Sequence, residues 1–347
     1  MKKWYDASGP ESESVISSCV HLSRNMRGIP FPAGLTASEK AVVVKRTCRA
    51  VFSKNSSIAR DFHFVNMASM SLGEAVALAE RGVVSADFIE NRCGCGLLVS
   101  ENEAKCILVN GDDHFLIQVR LPGLALKESY ESADRLDTIL DKSLNFAFDK
   151  RLGYLTCNPA LLGTGMIVSL NLHLPALAET GAAARISSNL QPLGISFYSA
   201  LSPSAEGHGA IFRLSNRMTL GLSENEAITN LCGIAGQIIA QERAARDKLI
   251  KDISVQDTVE RSLGILKSAR LLGFDEFLGL ASIIRFGIAA GLVKNISLCK
   301  VDGLAMRVQP ANLVLQAGYG LTQNEERAFR AKIVREALVQ REGNGNG

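Results

Sequence analysis

Between Leu97 and Arg120 the chain carries three short β-type runs split by polar turns, and no other feature restricts the possible folds as much. Leu97-Leu98-Val99, Cys106-Ile107-Leu108-Val109-Asn110 and the run from His114 to Arg120 follow one another at a spacing that suits an antiparallel meander. Further β-type runs come at Met166–His173, Gly194–Tyr198 and Ala210–Asn216. Leu201–Gly207 reads as a loop between the last two.

Helical periodicity accounts for most of what remains. Ser38–Ser53 has it, with Ser38 the expected N-cap, and so does Leu72–Arg81, ended by Gly82. A third helix is predicted from about Ser129 to Ala147, with Tyr130, Ala133, Leu136, Ile139 and Leu140 on one face. Ser223–Leu249 is the longest helical signal, and Val255–Gln340 reads as helices and turns punctuated by Gly273, Gly291 and Gly303. At 347 residues two domains are expected. The change of pattern near residue 250 places the boundary: an α+β domain over 15–250, with helices packed on an antiparallel sheet, then an all-helical domain over 251–340. Polar residues 1–14 predict a flexible lead-in, and 341–347 a disordered tail.

Composition removes several classes of function. With 38 basic and 35 acidic residues the net charge is +3, too balanced for a nucleic-acid partner. No apolar stretch approaches the length of a membrane span, and Met1–Asp6 lacks the apolar core of a signal peptide, so a cytoplasmic protein is expected. Of the eight cysteines only Cys93-Gly94-Cys95 is closely spaced, and no second pair follows; reduced buried thiols are expected, and no metal site.

Several ordered motifs carry a family resemblance. They are Leu22-Ser23-Arg24-Asn25 followed by Pro30-Phe31-Pro32, then Asn110-Gly111-Asp112-Asp113-His114, then Gly153-Tyr154-Leu155-Thr156-Cys157-Asn158-Pro159. Gly163-Thr164-Gly165 precedes Leu172-His173-Leu174-Pro175, and Leu214-Ser215-Asn216 precedes Thr219-Leu220-Gly221. Ile239-Ala240-Gln241-Glu242-Arg243-Ala244-Ala245-Arg246 completes the set. From about Val15 to Leu338 the chain resembles the bacterial protein-arginine kinases, relatives of the creatine and arginine kinases. The resemblance implies a phosphagen-kinase-like α+β domain and a C-terminal helical domain that mediates homodimerisation. It also implies ATP-dependent phosphorylation of protein arginines, a zinc-binding activator protein and a ClpC-type unfoldase as partners, and a role in protein quality control.

The same resemblance exposes what is missing. Moving a γ-phosphoryl group to a guanidinium needs cations around the triphosphate and Mg²⁺, with a carboxylate to position the guanidinium and take its proton. The family's five nucleotide-binding arginines fall on Cys19, His21, Leu116, Ile167 and Tyr198, and a nucleotide-contacting histidine on Gly82. Arg120, roughly 13 Å along the strand from Leu116, makes a poor replacement. At the guanidinium end the paired glutamates become Gly111 and Asp112, and the family cysteine becomes Asn158, with Cys157 one residue earlier. Asp112, Asp113 and His114 serve either the chemistry or the hairpin that carries them. The family's phosphoarginine pocket falls on Glu326–Ala331 and keeps its last Arg-Ala pair, so Arg327, Arg330 and Ala331 mark it here.

The implied reading is a pseudokinase that needs no cofactor and acts by binding. The alternatives are an active kinase using Mg·ATP through a rewired site, or a phosphoarginine-binding module.

Overall fold

The computed structural model describes residues 2–53, 57–200 and 209–339. It begins with strand β1 (Val15–Arg24), helix α1 (Ala37–Val51), β2 (Phe62–Asn66), and the short helices α2 (Leu72–Glu80) and α3 (Ala86–Glu90). The predicted meander follows as β3 (Gly96–Ser100), β4 (Lys105–Val109) and β5 (Phe115–Pro122), then α4 (Leu126–Leu144). After the small hairpin β6 (Phe148–Asp149) and β7 (Gly153–Tyr154) come β8 (Met166–His173), α5 (Pro175–Glu179), α6 (Ala182–Leu190), β9 (Ile195–Ser199) and β10 (Ile211–Asn216). The long α7 (Glu224–Leu249) leads into α8 (Ile253–Ser268), α9 (Phe274–Ala289), α10 (Leu298–Arg307), α11 (Pro310–Ala317) and α12 (Gln323–Val339). Among the described residues no helix is long and apolar enough to cross a membrane.

Eight strands form one antiparallel sheet in the order β2-β3-β4-β5-β1-β8-β10-β9, so the first strand in sequence lies between β5 and β8. Alternation along the strands divides the two faces. Val20 and Leu22 of β1, Val168 and Leu170 of β8, and Leu214 of β10 pack with α1, α4 and α7 in the main core. On the other face Leu97, Val99, Cys106 and Leu108 are covered by α2 and α3 through Leu78, Val83, Phe88 and Ile89. α8 to α12 build a separate core around Val259, Phe277, Ile284, Leu304 and Val334.

Local chemistry fixes the helix ends. α1 is capped by Thr36 rather than Ser38, because Glu39 lies three residues past Thr36 and closes a reciprocal capping box. Ser71 with Glu74 and Ser223 with Glu226 do the same for α2 and α7. α4 begins three residues before the predicted Ser129 and ends at Asn145, which takes a left-handed conformation (φ 53°).

The flexible lead-in expected over 1–14 is instead a built strap. Trp4 and Tyr5 are buried against Ala104, Leu121 and Met306, so two aromatic residues override a polar composition. Asp6 pairs with Arg307, and Glu13 pairs with Arg243 and Arg246. The Arg285 guanidinium donates to the carbonyls of Ser12 (2.6 Å) and Glu13 (3.0 Å) while pairing with Asp302. A second tie comes from Glu80. Its carboxylate accepts from the Ala311 and Asn312 amides at 2.9 and 3.0 Å, capping α11 from another element. The tail 341–347 lies outside the described residues.

Candidate functional site

The sheet face turned away from α4 and α7 carries most of the positions that the family resemblance assigns to nucleotide-binding arginines. β1 presents Ser17, Cys19, His21 and Ser23 here, and register sets them against Pro122, Arg120, Gln118 and Leu116 of β5. On the other side β8 presents Asn171, Ser169 and Ile167, and beyond it come Arg213 and Ser215 of β10 and Tyr198 and Ser196 of β9.

Cys19 and His21 are joined to Gln118, a residue the sequence motifs do not single out, and through it to Gly82. The His21 Nε2 lies 2.7 Å from Gln118 Oε1 and 3.5 Å from Cys19 Sγ. Gln118 in turn donates to the Gly82 carbonyl at 3.0 Å. A partly buried chain Cys19–His21–Gln118–Gly82 therefore ties β1 and β5 to the turn after α2. Arg120 completes it. Opposite Cys19 in register, its guanidinium lies beneath Gly82, where a Cβ would stand 2.3 Å from Nη1, and its Cζ is 5.4 Å from the centre of the Trp4 ring. Arg120 Nε is buried without a hydrogen-bond partner. Burial alone pushes the Cys19 thiol up, but His21 and Arg120 beside it outweigh that and hold its pKa at about 6. At neutral pH the pair is a thiolate against a guanidinium.

Two arginines stand on this face, Arg120 and Arg213. Arg120, a poor replacement by its distance along the strand from Leu116, adjoins Cys19 across the sheet. Arg213 is missed because nothing in a single strand reveals its neighbour Tyr198 on β9. Nor do Leu116, Ile167 and Tyr198 gather into one apolar filling. Leu116 packs with the α2–α3 cluster, Ile167 is half-buried beside His21, and Tyr198 is 52% exposed on the edge strand. The serine-rich loop at Ser202-Pro203-Ser204 lies outside the described residues.

At the guanidinium end the fold uses the retained motif as a joint. Asp113 accepts from Asn25 Nδ2 (2.6 Å) and the Cys157 amide (2.7 Å), while Asn25 Oδ1 accepts from the His114 amide (2.9 Å). His114 Nδ1 accepts from the Met26 amide (3.2 Å). Burial raises the Asp113 pKa, and its hydrogen bonds oppose the rise. Asp112 points to solvent. Cys157 is exposed close by; partial burial and then the charges of Asp113 and Asp112 push its thiol up, so it stays protonated. Asn158 is committed elsewhere: its Oδ1 accepts from the Ala160 amide at 3.0 Å and caps the 3₁₀ turn Pro159–Leu161. The structure therefore places Asp112 near enough to Cys157 for its charge to act on the thiol, while Asn158 Oδ1 caps the turn that follows.

Arg24, the one retained arginine of the opening motif, belongs to the helix side of the sheet. It is buried, pairs with Asp137 at 2.8 Å, donates to the Thr164 carbonyl at 3.0 Å, and its Cζ lies 3.4 Å from the Tyr154 ring centre. The pocket marked by Arg327, Arg330 and Ala331 is likewise closed. Arg330 is 1% exposed, donates to the carbonyls of Val308 (2.9 Å) and Leu272 (3.0 Å), and pairs with Glu326. Ala331 is buried, whereas Arg327 is half-buried.

Comparison with known proteins agrees with this architecture. The ATP:guanido phosphotransferase C-terminal catalytic domain matches residues 43–245, and the protein-arginine kinase McsB C-terminal domain matches 252–346. The chain is 36% identical over 339 residues to the protein-arginine kinase of Pelotomaculum thermopropionicum, covering 97% of this chain and 95% of that one. It is 37% identical over 341 residues to that of Geobacillus thermodenitrificans, covering 98% and 94%. A crystal structure of lombricine kinase shares the fold with a TM-score of 0.59 at 19% identity, covering 68% of each chain. On this extent of similarity the chain belongs to the protein-arginine kinase family of ATP:guanidino phosphotransferases.

Proposed function

We propose that this chain is a pseudokinase: a family member that has lost ATP binding and phosphotransfer and acts by binding in protein quality control. The observation that carries the reading is the partly buried Cys19–His21–Gln118–Gly82 chain, with Arg120 turned onto Cys19 and Trp4. Cys19, His21 and Gln118 bond to one another or to backbone where the family aims arginines at a triphosphate. A charge-assisted hydrogen bond contributes roughly 1.5–3 kcal/mol, and millimolar affinity amounts to only about 4 kcal/mol. Losing several such contacts removes more than a millimolar affinity contains. The residues present do not fit Mg·ATP.

In this reading the protein is a cytoplasmic homodimer held by its helical domain. It docks onto the zinc-binding activator or the ClpC-type unfoldase through surfaces that need no nucleotide. A second reading, an active kinase with a rewired site, draws on Arg213 and on the proximity of Asp112 to Cys157. Assaying acid-labile arginine phosphate on an unfolded protein substrate separates the two. The first predicts no incorporation above a no-enzyme control at millimolar Mg·ATP. Incorporation abolished by Asp112→Asn would establish the second.

A further inference from the structure

On the same sheet face, beyond the closed Cys19–Gly82 chain, two adjacent register rows are lined by polar side chains. One runs Ser17–Asn171–Arg213–Tyr198 across β1, β8, β10 and β9; its neighbour runs Cys19–Ser169–Ser215–Ser196, with Cys19 turned to Arg120 and His21. Arg213 is half-buried between them and donates through Nη2 to Ser169 Oγ at 3.0 Å. Asn171 Nδ2 lies 3.4 Å from Ser17 Oγ.

The buried guanidiniums of Arg24, Arg246, Arg285 and Arg330 each meet a carboxylate, and that of Arg120 meets Cys19, whereas the half-buried Arg335 donates to the Ala269 carbonyl. Among the described residues Arg213 makes no ion pair, and its hydrogen bond is to a neutral hydroxyl. The planar fork of a guanidinium matches two oxygens of a phosphate or carboxylate at once. The Ser169 hydroxyl accepts from Arg213 and keeps its own hydrogen to donate, and Ser215 adds a second hydroxyl on the same row.

We propose that Arg213, with Ser169, Ser215 and Asn171, forms a binding site for a single phosphate group. One guanidinium ringed by neutral donors suits a monophosphate, whereas a triphosphate needs several cations together with Mg²⁺. The inference does not depend on the loss of phosphotransfer: an active kinase would overturn the proposed function and leave this site to be judged separately.

Inorganic phosphate and adenosine monophosphate, titrated calorimetrically against the full chain at low ionic strength, test it. Phosphate saturates the wild-type protein with a midpoint on the order of millimolar, as one charge-assisted site allows. Arg213→Gln raises that midpoint about tenfold or more while the phosphate-free Tm stays within about 2 °C. Ser169→Ala, which deletes one oxygen, weakens phosphate in the same direction and serves if Arg213→Gln does not fold. Tighter Arg213-dependent binding of adenosine monophosphate assigns the phosphate to a nucleotide, and equal binding assigns it to the free ion. Absence of phosphate binding in the wild-type protein, or an unmoved midpoint in both variants, overturns the proposal.

Discussion

Gly82→Ala tests whether the position that the family resemblance assigns to a nucleotide contact is packed as protein interior. Gly82 has φ +71°, where a side chain costs about 1–2 kcal/mol. The new Cβ would also stand 2.3 Å from Arg120 Nη1 and 3.1 Å from its Cζ. Arg120 is buried beneath Trp4 and against Cys19, so its guanidinium cannot move aside without giving up a charge-assisted contact of roughly 1.5–3 kcal/mol. The substitution should therefore cost about 3–4 kcal/mol in all. In an Arg120→Ala background the obstacle is gone, and only the backbone term of about 1–2 kcal/mol remains. Urea unfolding of the wild type, both single variants and the double variant measures the difference as a coupling of about 2 kcal/mol. Additive costs, within about 0.5 kcal/mol, would refute the packing of Arg120 beneath Gly82.

Cys19 gives a pH signature. Its folded pKa of about 6 lies below its ordinary 9.0, so the unfolded chain holds a proton that the folded one sheds between those values. The stability it confers is fully present above pH 9, shrinks as pH falls from 9 towards 6, and is gone below. Cys19→Ser should flatten that slope in urea midpoints taken from pH 6 to 9, and an unchanged slope contradicts the assignment. Glu80→Gln should cost about 2 kcal/mol by weakening the charged cap on α11, read as a lower urea midpoint at unchanged m. Arg330→Ala should cost about 3 kcal/mol, because Arg330 is enclosed and its loss strands Glu326 and two carbonyls. A variant as stable as the wild type would show that Arg330 is available to a ligand after all.

Much of the fold is legible because its strands alternate or its helices carry their caps. Met166–His173 is predicted to the residue, since apolar Val168, Leu170 and Leu172 alternate with Ile167, Ser169 and Asn171 on the open face. Gly82 ends α2 as the sequence predicts, because its left-handed conformation suits glycine. The candidate site was harder to read. The replaced positions stand out in sequence, but their new partners come from register: Arg120 opposite Cys19, Gln118 opposite His21, Arg213 opposite Tyr198. Register is set by pairing between distant segments and leaves little trace in any one of them. Trp4 and Tyr5 were the overlooked local signal, since two adjacent aromatic residues in a polar segment need a core to enter.

The central claim is that this nucleotide position no longer grips a polyanion, and calorimetric titration of the wild-type chain with Mg·ATP tests it most directly. The account predicts no saturable heat below about 1 mM, the affinity that roughly 4 kcal/mol represents. A sub-millimolar dissociation constant that weakens in Arg120→Ala would show that the guanidinium turned onto Cys19 still reaches phosphate, and would contradict the account.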